Sequence, residues 1–151
     1  MKIEHAIIKK MSYKVFFHIQ NDQDTMTPIS FFLKVIIDYF EKGFGLKVVC
    51  QDHCTCELFD DALWSYPSQG FIPHFMEKNI CWVNQTPNAK DSLKSKQPLQ
   101  LLNASWECLK ASSEEDQIIE CIPNDPFFKF QGRERYKFYK DHHFNPEVIK
   151  R

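Results

Sequence analysis

Lys129, Arg133 and Lys137 stand four residues apart in PhePheLysPheGlnGlyArgGluArgTyrLysPheTyrLys, the stretch from Phe127 to Lys140. On a helix this spacing sets the three cations along one face, with Tyr136 and Lys140 at its border. A guanidinium in such a stripe can grip a carboxylate or a phosphate through two parallel hydrogen bonds, and the lysines add positive potential. The chain as a whole is nearly neutral, with 19 Lys and Arg against 20 Asp and Glu and a formal net charge of −1. A basic stripe on a neutral chain suggests a local anion-binding surface, not a general attraction to polyanions. Direct binding of single-stranded DNA by this helix fits poorly, because phosphate binding normally uses a broad basic surface. On the pattern alone the better explanation is a solvated amphipathic helix with Phe127, Phe130 and Phe138 partly buried, because charge stripes are usually solvated faces.

The other chemistry-bearing residue types are Cys and His. The six cysteines are Cys50, Cys54, Cys56, Cys81, Cys108 and Cys121. Cys50, His53, Cys54 and Cys56 offer thiolates and an imidazole, but the Cys-x-x-Cys pairs of a zinc site are missing. Cys81 or Cys108 with His74, His142 or His143 would make the nucleophile and base of an α/β enzyme, although nothing in the spacing specifies that pairing. HisHis at 142–143 reads as a polar helix end beside the C-terminal dipole. The N-terminus carries no apolar leader with a small-residue cleavage site, so reduced thiols and a cytoplasmic location are expected. No apolar run approaches the ~20 residues that span a bilayer.

These residues are positioned by elements that alternate along the chain. Tyr13–Ile19 reads as a buried strand. Residues 21–28 read as a loop ending in Thr27 as N-cap and Pro28 at the first helical position. Phe32, Leu33, Ile36, Ile37 and Phe40 then recur at helical spacing through Lys42, and Gly43 can serve as the cap. Leu46–Cys50 follows as a strand, so the opening fits a parallel crossover unit. A second helix covers Cys54 to about Leu63 or Ser65, with Pro67 ending it, and residues 65–74 read as a loop. Ile80–Asn84 and Leu99–Asn103 read as strands, the polar stretch 84–98 as a mobile loop, and Ser105–Ser112 as a short helix or irregular chain. Ile118–Ile122 reads as the last strand, and Asp125 and Pro126 open the terminal helix as N-cap and N1. At 151 residues, 43% hydrophobic and 26% charged, this is one α/β domain over 13–151 with an N-terminal extension at 1–12. Its mainly parallel central sheet is flanked by helices and is Rossmann-like without a nucleotide site. The loop after the first strand has no glycine, and Asp22 and Asp24 in it would repel phosphate.

Between the second helix and the next strand lies LeuPheAspAspAlaLeuTrpSerTyrProSerGlnGlyPheIleProHis, residues 58–74. Trp64, Tyr66, Phe71 and Ile72 are more large apolar groups than a connector needs, and suggest anchors for a partner. This stretch resembles the Leu-Asp-Asp/Glu-Ala-Leu-Trp and Phe-Ile/Val-Pro-His pattern of the chi subunits of bacterial DNA polymerase III. GlyArgGluArgTyrLysPheTyrLys, residues 132–140, resembles the Ala/Gly-Arg-Glu-Arg-Tyr-Lys-x-Tyr-Lys/Arg motif of the same family, and Phe144 with Asn145 continues the match. The resemblance covers roughly residues 13–146; residues 1–10 precede the usual family start, which makes Met11 a second candidate initiator.

What the resemblance implies is an accessory subunit with no catalytic residue, metal or cofactor of its own and no membrane contact. Chi-like proteins pair with the psi subunit, which links them to the clamp loader. They also bind the acidic C-terminal tail of single-stranded DNA-binding protein, and so meet nucleic acid only indirectly. Carried over by motif, Arg133 receives the carboxylate of the tail's terminal Phe, and Lys129 and Lys137 face its acidic residues. Tyr136, Trp64 and Ile122 line the apolar part of that site, and Phe71 with Ile72 faces psi.

Overall fold

The computed structural model describes residues 13–65, 72–83, 99–111 and 117–151. The N-terminal extension, Tyr66, Phe71 and the 84–98 loop lie outside the described residues. Seven strands form one sheet: β1 (Lys14–Ile19), β2 (Gly45–Cys50), β3 (His74–Glu77), β4 (Ile80–Val83), β5 (Leu99–Ala104), β6 (Gln117–Ile122) and β7 (Glu147–Lys150). Their order is β3-β4-β2-β5-β6-β1-β7. β2, β5, β6, β1 and β7 run parallel, while β4 is antiparallel to both β2 and β3. Among the described residues three helices flank it: α1 (Pro28–Glu41), α2 (His53–Ser65) and α3 (Pro126–Asp141). None of these helices is long and apolar enough to cross a membrane.

The helices start where their capping chemistry places them. Thr27 accepts a hydrogen bond from the Ser30 amide, with Pro28 first in α1. Asp125 accepts from the Phe127 and Phe128 amides, with Pro126 first in α3. Each cap satisfies amide donors that have no partner inside the helix. Gly43, just past the end of α1, takes φ +92°, a conformation that costs other residues a Cβ clash. The loop after β1 spends its amides on its own side chains, Met26 N–H on Asp24 and Gln23 N–H on Asn21. Carboxylate and amide oxygens thus occupy the place where a phosphate cradle would present bare amides.

Alternation along the strands divides the core in two. Leu46, Val48, Cys50, Leu102, Ile119 and Cys121 face α1 and α2, where they meet Phe31, Val35, Ile36, Cys56, Phe59 and Leu63. Val15, Phe17, Leu101, Ile118 and Ile122 face α3 and meet Tyr136 and Tyr139. The sheet is thus sandwiched between two helical layers.

Three features differ from the sequence expectations. β1 and β2 are parallel but not neighbours, since β5 and β6 stand between them. Strand β3, unmarked in the sequence, starts at the last residue of the loop and forms a hairpin with β4 through Lys78 and Asn79; Lys78 takes φ +57°. The chain also does not end its sheet at β6, because β7 adds beside β1 after α3. Ser105–Ala111 is irregular.

β7 is locked at its end by Arg151. The Arg151 Nε–H donates to His18 Nδ1 at 3.1 Å, and a terminal guanidinium nitrogen pairs with Asp38. An arginine nitrogen only donates, so His18 Nδ1 carries no proton and Nε2–H is left to donate to the Tyr39 hydroxyl at 2.7 Å. Burial, then the Arg151 and Lys42 charges, push the His18 pKa down to about 4, against the weaker pull of Asp38. The folded state therefore excludes a proton that the unfolded chain binds below its ordinary pKa near 6.5. This contribution to stability is fully present above that pKa and is lost as pH falls toward 4. Denaturant unfolding at pH 7 and pH 5 should show a loss of about 2 kcal/mol from this group. His18→Gln should flatten that part of the pH dependence; an unchanged slope would remove His18 as its source.

Candidate functional site

α3 packs on one face of the sheet, and a cleft of about 240 Å³ opens between it and β1, β6 and β7. Phe17, Ile19 and Ile122 come from the strands, Lys129, Gly132, Arg133 and Tyr136 from the helix, and Val148 from β7. The helix places these residues by its period: 129, 132, 133 and 136 share one side of α3. Phe17 and Tyr136 pack edge to face, with ring centroids 5.4 Å apart, which fixes the aromatic wall.

The lining is apolar at its floor and cationic at its rim. Among the described residues no carboxylate pairs with Arg133, whose side chain lines the cleft. Lys129 Nζ lies 3.2 Å from Asp22 Oδ1 on the surface. Lys137 is exposed, 3.9 Å from Glu134, and does not line the cleft. Lys140 sits over the Tyr136 ring at 6.0 Å. An apolar hole beside an unpaired guanidinium suits a ligand that is hydrophobic and ends in an anion.

Gly132 lets the helix approach β6 closely enough to form this floor. A Cβ at 132 would overlap Ile122 Cδ1 and crowd its Cγ1 at 3.2 Å. The close approach is a property of this Gly–Ile pair, and neither residue type alone signals it.

Arg135, two residues beyond Arg133, points the opposite way and is buried with 4% exposure. Its Nε–H donates to Glu120 Oε1 at 2.8 Å. Asn103 Nδ2 donates to Glu120 Oε2 at 3.0 Å, and the Tyr139 hydroxyl lies 3.4 Å from the same oxygen. Burial pushes the Glu120 pKa up, against the downward pull of Arg135, Asn103 and Tyr139. The network bonds α3 to β5 and β6 beneath the cleft.

Of the residues expected to form one site, Arg133, Lys129, Tyr136 and Ile122 are brought together. Trp64 is not among them. It lies at the end of α2 on the other face of the sheet, 58% exposed, with its ring 4.8 Å from that of His74. The Cys56, Phe59 and Leu63 stripe of α2 faces the core on that side, which fixes where Trp64 can reach. Ile72 is buried in the same core cluster. Phe71 lies outside the described residues. Val148 and Gly132 line the cleft without having been marked by the sequence.

Cys50, Cys56 and Cys81 lie together in the core, and among the described residues none of them pairs with a histidine. Among the described residues no group of three or more His, Cys, Asp or Glu could hold a metal ion. Burial pushes the Cys81 thiol up to about 12 and raises Cys50 and Cys121 as well, which makes them poor nucleophiles. His142 Nδ1–H donates to the Phe138 carbonyl at 2.8 Å, so it caps α3.

Comparison with known proteins gives the family of the chain. The model of the family described as DNA polymerase III chi subunit, HolC, matches residues 11–147. DNA polymerase III subunit chi of Haemophilus influenzae is 27% identical over 126 residues, covering 80% of this chain and 85% of that protein. DNA polymerase III subunit chi of Escherichia coli is 23% identical over 121 residues, covering 74% and 78% respectively. With the family model spanning residues 11–147, and so the three described helices and nearly all of the described sheet, this chain belongs to the DNA polymerase III chi subunit family.

Proposed function

We propose that this chain bridges the clamp loader, through psi, to single-stranded DNA-binding protein, whose acidic C-terminal tail it binds in the cytoplasm. Family membership makes it an accessory subunit of DNA polymerase III in DNA replication. The observation that carries the finer reading is the cleft: an apolar hole floored by Ile122 and walled by Tyr136, with Arg133 at its mouth. A terminal Phe can enter it while its carboxylate meets the guanidinium. Lys129, and Lys137 further out, extend positive potential toward the acidic residues that precede that Phe.

The psi surface is assigned to the other side of the sheet. Trp64 is exposed there and packs on His74, which follows closely on Phe71. Ile72, being buried, supports that surface from beneath. Two partners on opposite faces can be held at once without competition.

The reading is tested by co-purification with tagged single-stranded DNA-binding protein, with and without its last residues. Capture that survives loss of those residues would overturn the tail site. A sharper test uses the floor. Gly132→Ala gains about 1 kcal/mol of helix propensity but loses a similar amount to crowding, so the unfolding midpoint should barely move. Ile122 Cδ1 is displaced into the cleft, and affinity for a tail peptide should fall about tenfold. Adding Ile122→Val removes that methyl and should restore binding; calorimetric titration of the three variants checks this.

A further inference from the structure

β7 ends the sheet, and among the described residues no strand pairs with its outer edge. Two hydrogen bonds show how its backbone is turned. Arg151 N–H donates to the Ile19 carbonyl at 2.9 Å, while Gln20 N–H donates to the Ile122 carbonyl at 3.0 Å. In a parallel ladder a residue sends its N–H and C=O to one side, and the next residue sends them to the other. Glu147, Ile149 and Arg151 therefore bond to β1. Val148 and Lys150 turn their N–H and C=O outward.

The same two residues border the cleft. The register pairs Phe17 with Val148 and Ile19 with Lys150, and Phe17, Ile19 and Val148 all line the cleft. The side chains of Val148 and Lys150 thus share the α3 face. At one place β7 offers an apolar wall, a cation and open main-chain groups, and its four residues are all exposed.

We propose that β7 is the second half of the tail site: the residues preceding the tail's terminal Phe lie along its outer edge as an added strand. This inference rests on the reading of the cleft as a tail site. Three observations favour the tail as the occupant. Val148 belongs to both the cleft and the edge, so the chain leaving the cleft starts on β7. Lys150 and Arg133 match an acidic segment in charge. An extended tail brings its own unsatisfied amides and carbonyls, which an open strand edge satisfies.

The test separates backbone from side chain. Lys150→Pro deletes an outward N–H and leaves every bond to β1, a position where a sheet tolerates proline. Lys150→Ala deletes only the charge. Titrated with the tail peptide, Lys150→Pro should bind about tenfold more weakly than Lys150→Ala. Exchange of the Val148 and Lys150 amides should slow when peptide is added to the unaltered protein. Equal affinity of the two variants, or unchanged exchange, would overturn the proposal. Should Lys150→Pro fail to fold, a peptide N-methylated at successive positions replaces it, and losses at alternate positions are expected. Sedimentation of the free protein should give a monomer; a dimer dispersed by Lys150→Pro would assign the edge to a second copy instead. If Arg133→Ala also binds as well as the unaltered protein, the cleft reading fails and takes this one with it. If only the proline is harmless, the cleft stands and the added strand falls.

Discussion

Arg133→Ala removes most binding to a peptide ending AspAspAspIleProPhe, with an expected loss of about 2–5 kcal/mol. The magnitude follows from where the side chain stands. Arg133 is at the mouth of an apolar cleft, where a carboxylate has given up much of its water and depends on the guanidinium for replacement. Arg133→Lys should recover only part of the loss, since an ammonium is a point charge without the two-pronged fork. Calorimetric titration distinguishes these outcomes. An alanine variant with unchanged affinity would move the carboxylate away from α3 altogether.

The second large effect concerns stability. Arg135→Met strands the Glu120 carboxylate, which has 0% exposure, without its charge partner. Removing one member of a buried ion pair costs about 3–5 kcal/mol. For a domain of this size that lowers the unfolding midpoint by about 10 °C. The pair is not valuable merely for being charged: Arg135→Leu with Glu120→Leu should regain much of the loss. Of the other two groups that donate to Glu120, the Tyr139 hydroxyl keeps the Leu109 carbonyl, and Asn103 Nδ2 keeps one of its two N–H bonds, to the Glu107 carbonyl. Thermal and denaturant unfolding of the single and double variants measures this, and a single variant as stable as the unaltered protein would dismiss the network. Below its own midpoint Arg135→Met should still bind the tail peptide, because the two arginines of one motif do different work.

That division was readable in principle. Residues two apart on a helix lie about 200° apart, so Arg133 and Arg135 cannot both face a ligand. The helices themselves were legible because Thr27–Pro28 and Asp125–Pro126 are strong start signals, and the cleft's helical residues followed from their spacing. The strand pattern was legible where the strands are buried, as β5 and β6 are on both faces. β7 is exposed on both faces, so GluValIleLys shows no period; it is held by its register with β1 and by Arg151 reaching His18, 133 positions earlier in the chain. β3 has four residues and turns through a Lys–Asn pair, where a glycine would have flagged the hairpin. Trp64 was grouped with Arg133 because motif order carries no information about which side of the sheet each helix takes. Gly132 needed the position of Ile122 to acquire its meaning.

The contact between Lys129 and Asp22, 3.2 Å long and at the surface, changes what an acidic ligand encounters there. Lys129 does not wait with an empty hand. An incoming carboxylate replaces one that is already present, so the step is an exchange of anions in which the number of ion pairs stays the same. Arg133, by contrast, gains a new pair outright. Ionic strength therefore weakens the complex less than a count of nearby lysines suggests, and Asp22, though it touches no ligand, sets how readily Lys129 changes hands.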